Sequence, residues 1–340
     1  MGVLLESVGV KKMFKIIFLS FLVGHTGFLK DKIKERIKNK LESQPAPIAS
    51  DIKATDELKP GDYTFSIKVD DSIRWFKVHV PSQYNSKKPI PLMFALHGGV
   101  GDMNTQSNDK YYHQITKSES ANYVIVFPNG YSPFQSGKIA TWNAGACCGP
   151  ARDNKADDVK FIKMIIDQLK KQLNIDASKI FSNGMSNGGM MSYRLACELS
   201  DVFKGIAAVA GTDNTLECNP KNPISILHIH AENDDHVLFN GGLGPKALNS
   251  KAETTFNSVS DTIKKWVKIN HCPEKAERIL NVDGAYCDLY SPCKNNTQVK
   301  LCVTKTGGHS WPGGEKPRGT TESSKAISAT DEIWSFLKDK

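Results

Sequence analysis

The sequence predicts an α/β fold in which a mostly parallel central sheet carries helices on both faces. From residue 61 onward, short apolar runs of strand length alternate with segments of helical periodicity, and no internal repeat is visible. A serine stands in a Gly-x-Ser-x-Gly stretch between one such run and one such helix. Polar and glycine-rich loops follow several of the other runs, so candidate reactive groups collect at strand ends.

The individual elements follow from their apolar patterns. Residues 63–69 and 74–80 alternate between apolar and polar side chains around Asp70-Asp71, which predicts an antiparallel hairpin. Short apolar runs at 92–96 and 123–127 predict buried strands of a parallel sheet. Further strands are predicted at 179–183, 205–210, 224–230 and 299–305. Helical periodicity predicts helices at 158–173, 259–269 and 331–337, the last with Thr330 as its N-cap.

Residues 1–25 are predicted to be a signal peptide or an uncleaved anchor. A basic stretch at 11–15 precedes the apolar run 16–23, which is shorter than a bilayer-spanning helix needs. Met13 is an alternative start, because the residues before it add nothing that a signal requires. We therefore expect a secreted, periplasmic or cell-surface protein.

Residues 26–60 separate this signal from a globular domain at 61–340. Leu29, Ile33, Ile37 and Leu41 repeat every four residues, with basic residues between them. This segment is either a helix lying on anionic lipid, which would give a peripheral membrane contact through residues 29–41, or a solvated spacer. We favour the spacer. The prolines within 44–60 predict a linker.

Composition narrows the function classes. The chain has 340 residues, 39% of them hydrophobic, and a net charge of +8, so it can bury a large core and is only moderately basic. Outside the N-terminal region the basic residues are scattered and form no stripe with interleaved aromatics, which argues against a nucleic-acid partner. No residues show metal-ligand spacing and no loop has a cofactor motif, so we expect neither metal nor cofactor.

The cysteines predict disulfides. Eight occur, without a Cys-x-x-Cys pair or zinc-ribbon spacing, and beside an export signal this favours pairing in an oxidising compartment. Residues 282–303 are predicted to form a hairpin closing near Lys294-Asn295, which places Cys287 across from Cys302. The residues do not say how the earlier cysteines pair, namely Cys147, Cys148, Cys197 and Cys218.

The stretch Gly184-Met185-Ser186-Asn187-Gly188 is predicted to be a sharp turn between a buried strand and a helix. This arrangement is the nucleophile elbow of α/β-hydrolases, in which the positions flanking the serine must be small. The helix start behind the serine also offers backbone N–H groups to a developing oxyanion.

Three further strand ends supply the groups that such a serine needs. His97-Gly98-Gly99 follows the run 92–96, several acids follow the run 224–230, and His309 follows the run 299–305. The order Ser…Asp…His is the one that α/β-hydrolases use. A serine needs a base to become nucleophilic, and the base needs a carboxylate that orients it. We therefore predict an α/β-hydrolase.

Four stretches resemble the polyhydroxybutyrate depolymerase-like esterase family, which also takes in feruloyl and acetylxylan esterases. They are Leu96-His-Gly-Gly, Trp142-Asn-Ala-Gly-Ala-Cys-Cys-Gly149, Gly184-Met-Ser-Asn-Gly-Gly189 and Gly308-His-Ser-Trp-Pro-Gly-Gly314, and the resemblance covers residues 61–340. It implies a triad of Ser186, Asp234 and His309. The acid loop departs from the family's usual His-Gly-Thr-x-Asp, since it reads His-Ala-Glu-Asn-Asp here.

With the export signal, these residues predict an exported serine carboxylesterase, and we expect the N–H groups of Gly99 and Asn187 to form its oxyanion hole. The resemblance implies an ester substrate, either a 3-hydroxybutyrate polyester or oligomer, or an acylated saccharide bearing feruloyl or acetyl groups. A disulfide between Cys272 and Cys293 is also implied. A serine peptidase is an alternative enzyme, and a non-catalytic binding protein on the same scaffold is an alternative of another class.

The remaining aromatic residues and histidines have less distinctive settings. Trp142 and Trp311 are either plain core or walls of an acyl pocket that bind substrate. His97 is expected to brace the oxyanion loop rather than transfer protons. His228 and His230 are expected to be packed on a strand, and His236 is expected to lie at the surface.

Overall fold

The computed structural model of the protein describes residues 27–247, 255–317 and 321–340. The predicted signal segment at 1–25 lies outside these ranges. The described residues form two compact units, one of those up to Pro45 together with Phe134–Ser136 and the other of the remaining described residues from Ala46 onward.

The described part of the smaller unit is mainly one helix, α1 (Gly27–Glu42). Ile33 and Ile37 are half-buried and Leu41 is buried, while the charged residues around them are exposed. The four-residue repeat therefore does produce an amphipathic helix. Among the described residues, no helix combines the length and apolarity needed to cross a membrane.

The larger unit is built on one sheet, in which the structure describes ten strands. Their bounds are β1 (Gly61–Val69), β2 (Ser72–Val80), β3 (Ile90–Leu96), β4 (Val124–Pro128), β5 (Ile175–Met185), β6 (Gly205–Val209), β7 (Ser225–Ala231), β8 (Glu277–Val282), β9 (Ala285–Tyr290) and β10 (Val299–Thr304). The spatial order is β1-β2-β4-β3-β5-β6-β7-β10-β9-β8. The central strands from β4 to β10 pair in parallel, and the strands at both edges are antiparallel.

Helices cover both faces of this sheet. Alternate residues of β3 face opposite sides, since Phe94 packs with helix residues such as Phe161 while Met93 packs in a separate cluster with Phe336. This confirms the predicted fold class. The helices of the larger unit are α2 (Met103–Gln106), α3 (Asp109–Tyr112), α4 (Gln114–Ala121), α5 (Gly149–Asp153), α6 (Asp158–Gln172), α7 (Asn187–Glu198), α8 (Val259–Ile269) and α9 (Ala329–Leu337), with a short 3-10 turn at Lys294–Asn296.

Two predictions of local structure were wrong. Part of the predicted linker belongs to the larger unit, because Leu58 is 1% exposed and its N–H donates to the carbonyl of Gln172 over 3.0 Å. The N-cap of α9 is Ser328, whose side chain accepts from the N–H of Asp331. Thr330 instead lies inside the helix, where its hydroxyl donates to the carbonyl of Tyr112.

All eight cysteines lie in the described part of the chain and all are paired. Cys287 and Cys302 stand opposite each other in the β9–β10 register and form a disulfide, as the hairpin predicted. The Cys272–Cys293 bond implied by the family resemblance is also present. The sequence left the other two pairs open, and the structure joins Cys197 to Cys218 and Cys147 to Cys148.

Candidate active site

Ser186 sits on a strained turn between β5 and α7. Its backbone has φ 55° and ψ −122°, a combination that residues other than glycine rarely adopt. A Cβ at Gly184 would lie 2.3 Å from the carbonyl carbon of Gly188, and one at Gly188 would lie 2.2 Å from the carbonyl oxygen of Leu96. The turn therefore tolerates only glycine at these positions. Ser186 is half-buried between neighbours that are fully buried, so its side chain points away from the core.

The loop after β3 lies against this turn. A Cβ built at Gly98 would lie 3.6 Å from the Cβ of Ser186, and one built at Gly99 would lie 3.7 Å from the Cβ of Asn187. Asn187 is the first residue of α7, where backbone N–H groups have no partner within the helix. Gly98 thus borders Ser186, and Gly99 borders the next residue, Asn187, which is the region where an oxyanion hole would be needed.

His97 holds this loop in place. Its Nε2 accepts from the N–H of Gly130 over 2.8 Å, so the ring proton of the neutral imidazole is on Nδ1, which donates to the carbonyl of Gly98 over 2.8 Å. The side chain is 1% exposed. Both ring nitrogens are engaged with backbone groups, as the predicted bracing role requires.

Trp142 and Trp311 are interior residues with side chains that are 0% and 2% exposed. The indole N–H of Trp142 donates to the carbonyl of His97 over 2.9 Å, and that of Trp311 donates to the hydroxyl of Thr330 over 2.9 Å. This packing favours the core alternative for both tryptophans. Contact with an acyl group stays a prediction.

Asp234 and His309 are joined by a hydrogen bond of 2.8 Å between Oδ2 and Nδ1. The other carboxylate oxygen of Asp234 accepts from the N–H groups of His236 and Val237 over 2.8 and 2.9 Å. Burial by itself would raise the pKa of Asp234, but the charge of His309 and these hydrogen bonds outweigh it and hold the pKa below its ordinary value. An ionised carboxylate only accepts, so Nδ1 of His309 carries the proton and Nε2 is left as the basic atom.

His228 and His230 connect this carboxylate to the core. His230 Nε2 donates to the carbonyl of Val237 over 2.8 Å and lies 3.4 Å from Asp234 Oδ2. His230 Nδ1 must then accept from His228 Nε2 over 3.0 Å, and His228 Nδ1 from the Tyr193 hydroxyl over 2.8 Å. Burial lowers the pKa of both histidines, which keeps them neutral. They are packed strand residues, as predicted, and their hydrogen bonds form a chain from Tyr193 on α7 to Val237 in the acid loop.

His236 was expected at the surface, and its side chain is 30% exposed, but it also contacts His309. Its ring stacks on that of His309, with ring centroids 4.6 Å apart and an angle of 18° between the planes. Its Nδ1 lies 2.6 Å from Oδ1 of Asp235, whose other oxygen contacts Lys246 over 2.7 Å. The stack was not predicted, because a ring contact between two loops leaves no mark in the local sequence around His236.

Within the described ranges, three groups of side chains come close enough to share a metal ion: Cys197 with Asp213 and Cys218, Cys287 with Cys302 and Glu332, and Asp234 with His236 and His309. The cysteines in the first two groups are joined in disulfides. In the third group, Asp234 and His309 already bind each other. None of the three groups therefore offers a full set of uncommitted ligands.

Comparisons with known proteins agree with this architecture. The prolyl oligopeptidase family matches residues 118–221. A feruloyl esterase B from Piromyces equi is 29% identical over 68% of this chain and 42% of its own length. A probable feruloyl esterase C from Aspergillus clavatus is 32% identical over 78% of this chain and 83% of its own length. An acetyl xylan esterase structure from Aspergillus awamori covers 82% of this chain and 99% of its own, with a TM-score of 0.53 at 14% identity, a likeness of fold alone.

The match to the Aspergillus clavatus protein covers most of both chains, whereas this chain spans less than half the length of the Piromyces equi relative. The elbow, the Asp–His pair and the parallel sheet are what an α/β-hydrolase requires. The chain belongs to the feruloyl esterase family of carboxylic ester hydrolases, within the α/β-hydrolase superfamily.

Proposed function

We propose that the protein is an exported serine carboxylesterase in which Ser186 attacks an ester carbonyl. One observation carries the proposal: the strained elbow that presents Ser186 and the Asp234–His309 hydrogen bond of 2.8 Å stand at the same carboxyl end of the parallel sheet. Nε2 of His309 takes the proton of Ser186, while Asp234 holds the ring in the required tautomer and stabilises the imidazolium.

The reaction then proceeds through an acyl-enzyme. The serine oxygen adds to the carbonyl carbon, and the N–H groups of Gly99 and Asn187 bind the resulting oxyanion. His309 returns its proton to the leaving alcohol as the tetrahedral intermediate collapses. A water molecule, deprotonated by His309, then attacks the acyl-enzyme and releases the acid and free Ser186.

Two substrate classes are supported by different observations. The feruloyl esterase relatives support an acylated plant saccharide as the substrate. The four motifs that resemble polyhydroxybutyrate depolymerase-like esterases support 3-hydroxybutyrate oligomers instead. Both are esters of a secondary or sugar alcohol, and the same triad can hydrolyse either. The preference between them therefore depends on the protein groups that surround the acyl and alcohol parts of the substrate.

Export completes the proposal, and a lipid contact through the N-terminal helix is an alternative that can be tested. The pairing of all eight cysteines supports an oxidising compartment outside the cytoplasm. The helix Gly27–Glu42 carries lysines between its apolar residues, so it is either a solvated spacer, which we favour, or a peripheral contact with anionic lipid. Sedimentation with vesicles of anionic lipid, compared with neutral vesicles, would test this contact, and equal binding to both would contradict it.

The decisive experiment is labelling by a fluorophosphonate probe, with Ser186→Ala as the control. Labelling of the wild type and not of the variant is expected, whereas an unlabelled wild type would favour a binding protein. A panel of p-nitrophenyl acetate, methyl ferulate, acetylated xylan and hydroxybutyrate oligomers then ranks the substrates. Prolyl peptide substrates belong in the same panel because of the prolyl oligopeptidase match, and faster cleavage of peptides than of every ester would overturn the esterase proposal.

A further inference from the structure

His236 touches the proposed catalytic base without belonging to the triad. Its ring lies against the face of His309, 4.6 Å between centroids and within 18° of parallel. It follows Asp234 by two residues, so the loop that supplies the triad acid also supplies this second imidazole. The His236 side chain is 30% exposed and the His309 side chain 14%, which leaves the stack partly screened from water.

A second carboxylate–imidazole pair fixes the orientation of His236. Oδ1 of Asp235 accepts from Nδ1 of His236 over 2.6 Å, and Lys246 holds Oδ2 of the same carboxylate over 2.7 Å. The backbone N–H of His236 donates to Asp234 over 2.8 Å. The ring is therefore held at its Nδ1 edge and at its backbone, and its face is turned to His309.

The protonation state of His236 decides the sign of its interaction with His309. Burial lowers the pKa of His236 and the charge of His309 lowers it further, while Asp235 and Asp234 partly offset both. Lys246 and Lys316 also act on these two acids, and His230 acts on Asp234. His236 is consequently neutral at pH 7 and becomes charged only in acid.

We propose that His236 is a positioning residue whose neutral ring keeps His309 in place and stabilises the imidazolium that His309 becomes during catalysis. This inference rests on the proposed function, because it requires His309 to act as the base. A cation is attracted to the face of a neutral aromatic ring. Once His236 is itself protonated, the two stacked rings carry like charges and repel, so the imidazolium forms less readily.

The inference predicts two separable effects. Replacing the ring by a methyl group, in His236→Ala, removes the stacked face and should lower kcat by about tenfold while KM changes little. His236→Phe keeps a flat ring that cannot take a proton, and it should retain most of kcat. In acid, protonation of His236 places a like charge beside the base of the wild type, so log(kcat/KM) should fall more steeply in the wild type than in His236→Phe, whose ring takes no proton.

The test is a pH–rate profile with p-nitrophenyl acetate from about pH 4.5 to about pH 8 for the wild type and these two variants. His79→Gln is the matched control, since His79 also pairs with carboxylates, those of Asp62 and Glu119, but lies on β2. It should leave the wild-type slope unchanged. Circular dichroism and Tm exclude a folding defect.

Three results would overturn the inference. One is a wild-type kcat in His236→Ala, and another is an acid slope that His236→Phe leaves at the wild-type value. The third is full activity in Ser186→Ala, which would remove the proposed function and this inference with it. An inactive Ser186→Ala beside fully active His236 variants would instead leave the proposed function standing and reject the role of His236 alone.

Discussion

Asn187 and Trp142 bind each other through two hydrogen bonds that run in opposite directions. The backbone N–H of Trp142 donates to Oδ1 of Asn187 over 2.7 Å, and Nδ2 of Asn187 donates to the carbonyl of Trp142 over 3.0 Å. Both residues are buried. Asn187, which follows the proposed nucleophile, thus anchors the start of the 142–149 loop to the elbow. The Gly-x-Ser-x-Gly pattern leaves this position unspecified, so the pattern does not predict this role.

Asn187→Ala should therefore weaken both stability and catalysis. It leaves the buried N–H of Trp142 without its acceptor, which costs about 1–3 kcal/mol. We expect a lower Tm and a reduced kcat, because the loop no longer holds the elbow. Asn187→Asp keeps the acceptor and loses the donor, so its Tm should lie between that of the wild type and that of Asn187→Ala. A wild-type Tm in Asn187→Ala would show that the Asn187–Trp142 pair does not stabilise the fold.

Ser186→Ala should fold normally and lose ester hydrolysis by several orders of magnitude. Only the binding of substrate and the oxyanion N–H groups would remain to accelerate the reaction. The measurement is turnover of p-nitrophenyl acetate, with Tm as the check on folding. Near-wild-type turnover would refute the assignment of the nucleophile.

Asp234→Asn should lower kcat by about 10⁴-fold, because an amide in place of the carboxylate favours the wrong tautomer of His309. Asp235→Asn is the matched control. Asp235 contacts His236 and Lys246 but not the base, so its loss should reduce turnover far less. The reverse order of the two effects would place the triad acid one residue later in the chain.

Stability should fall as the pH is lowered from about 7 towards 5. Burial lowers the pKa of His228 and His230 below the ordinary value of 6.5. Below that value the unfolded chain binds protons that the folded chain does not, so the free energy of unfolding decreases by up to about 1.4 kcal/mol per pH unit for each histidine. The loss begins near the unfolded pKa and is absent above it.

Tm measured across this pH range checks the prediction. His228→Gln removes one of the two groups and should make Tm depend less steeply on pH. The exposed His271, changed to glutamine, is the control and should leave the slope as it is. An unchanged slope in His228→Gln would show that its protonation is not linked to unfolding.

The four disulfides should be recovered by peptide mapping without reduction, with Cys287 linked to Cys302 and Cys272 to Cys293. The Cys287–Cys302 bond closes a separation of 15 residues. Its removal in a double alanine variant should cost about 3 kcal/mol, mostly by freeing the unfolded chain. Free thiols at the C-terminal cysteines of the native protein would contradict this pairing.

The sequence by itself determined the sheet, the elbow and the order of the reactive groups. Continuous apolar runs specify buried strands because a parallel sheet excludes water from both faces. The glycines around Ser186 are required because any side chain there would collide with adjacent backbone. The elbow can therefore be predicted from the local sequence. Asp234 was predicted from the family resemblance, which places the acid four residues after the His that ends the strand, and it does contact His309. Cys287 faces Cys302 because hairpin register follows from strand periodicity.

Only the tertiary structure decided which side chains meet across loops from different strands. The edge strand Glu277–Val282 is mostly exposed, so it carried no apolar pattern to predict it, and Leu58 reached the core from a stretch that reads as a linker. The stacking of His236 on His309 and the inward direction of Trp142 depend on the paths of several loops. Periodicity encodes which face of an element is buried, whereas contacts between loops depend on how distant strands are ordered in the sheet.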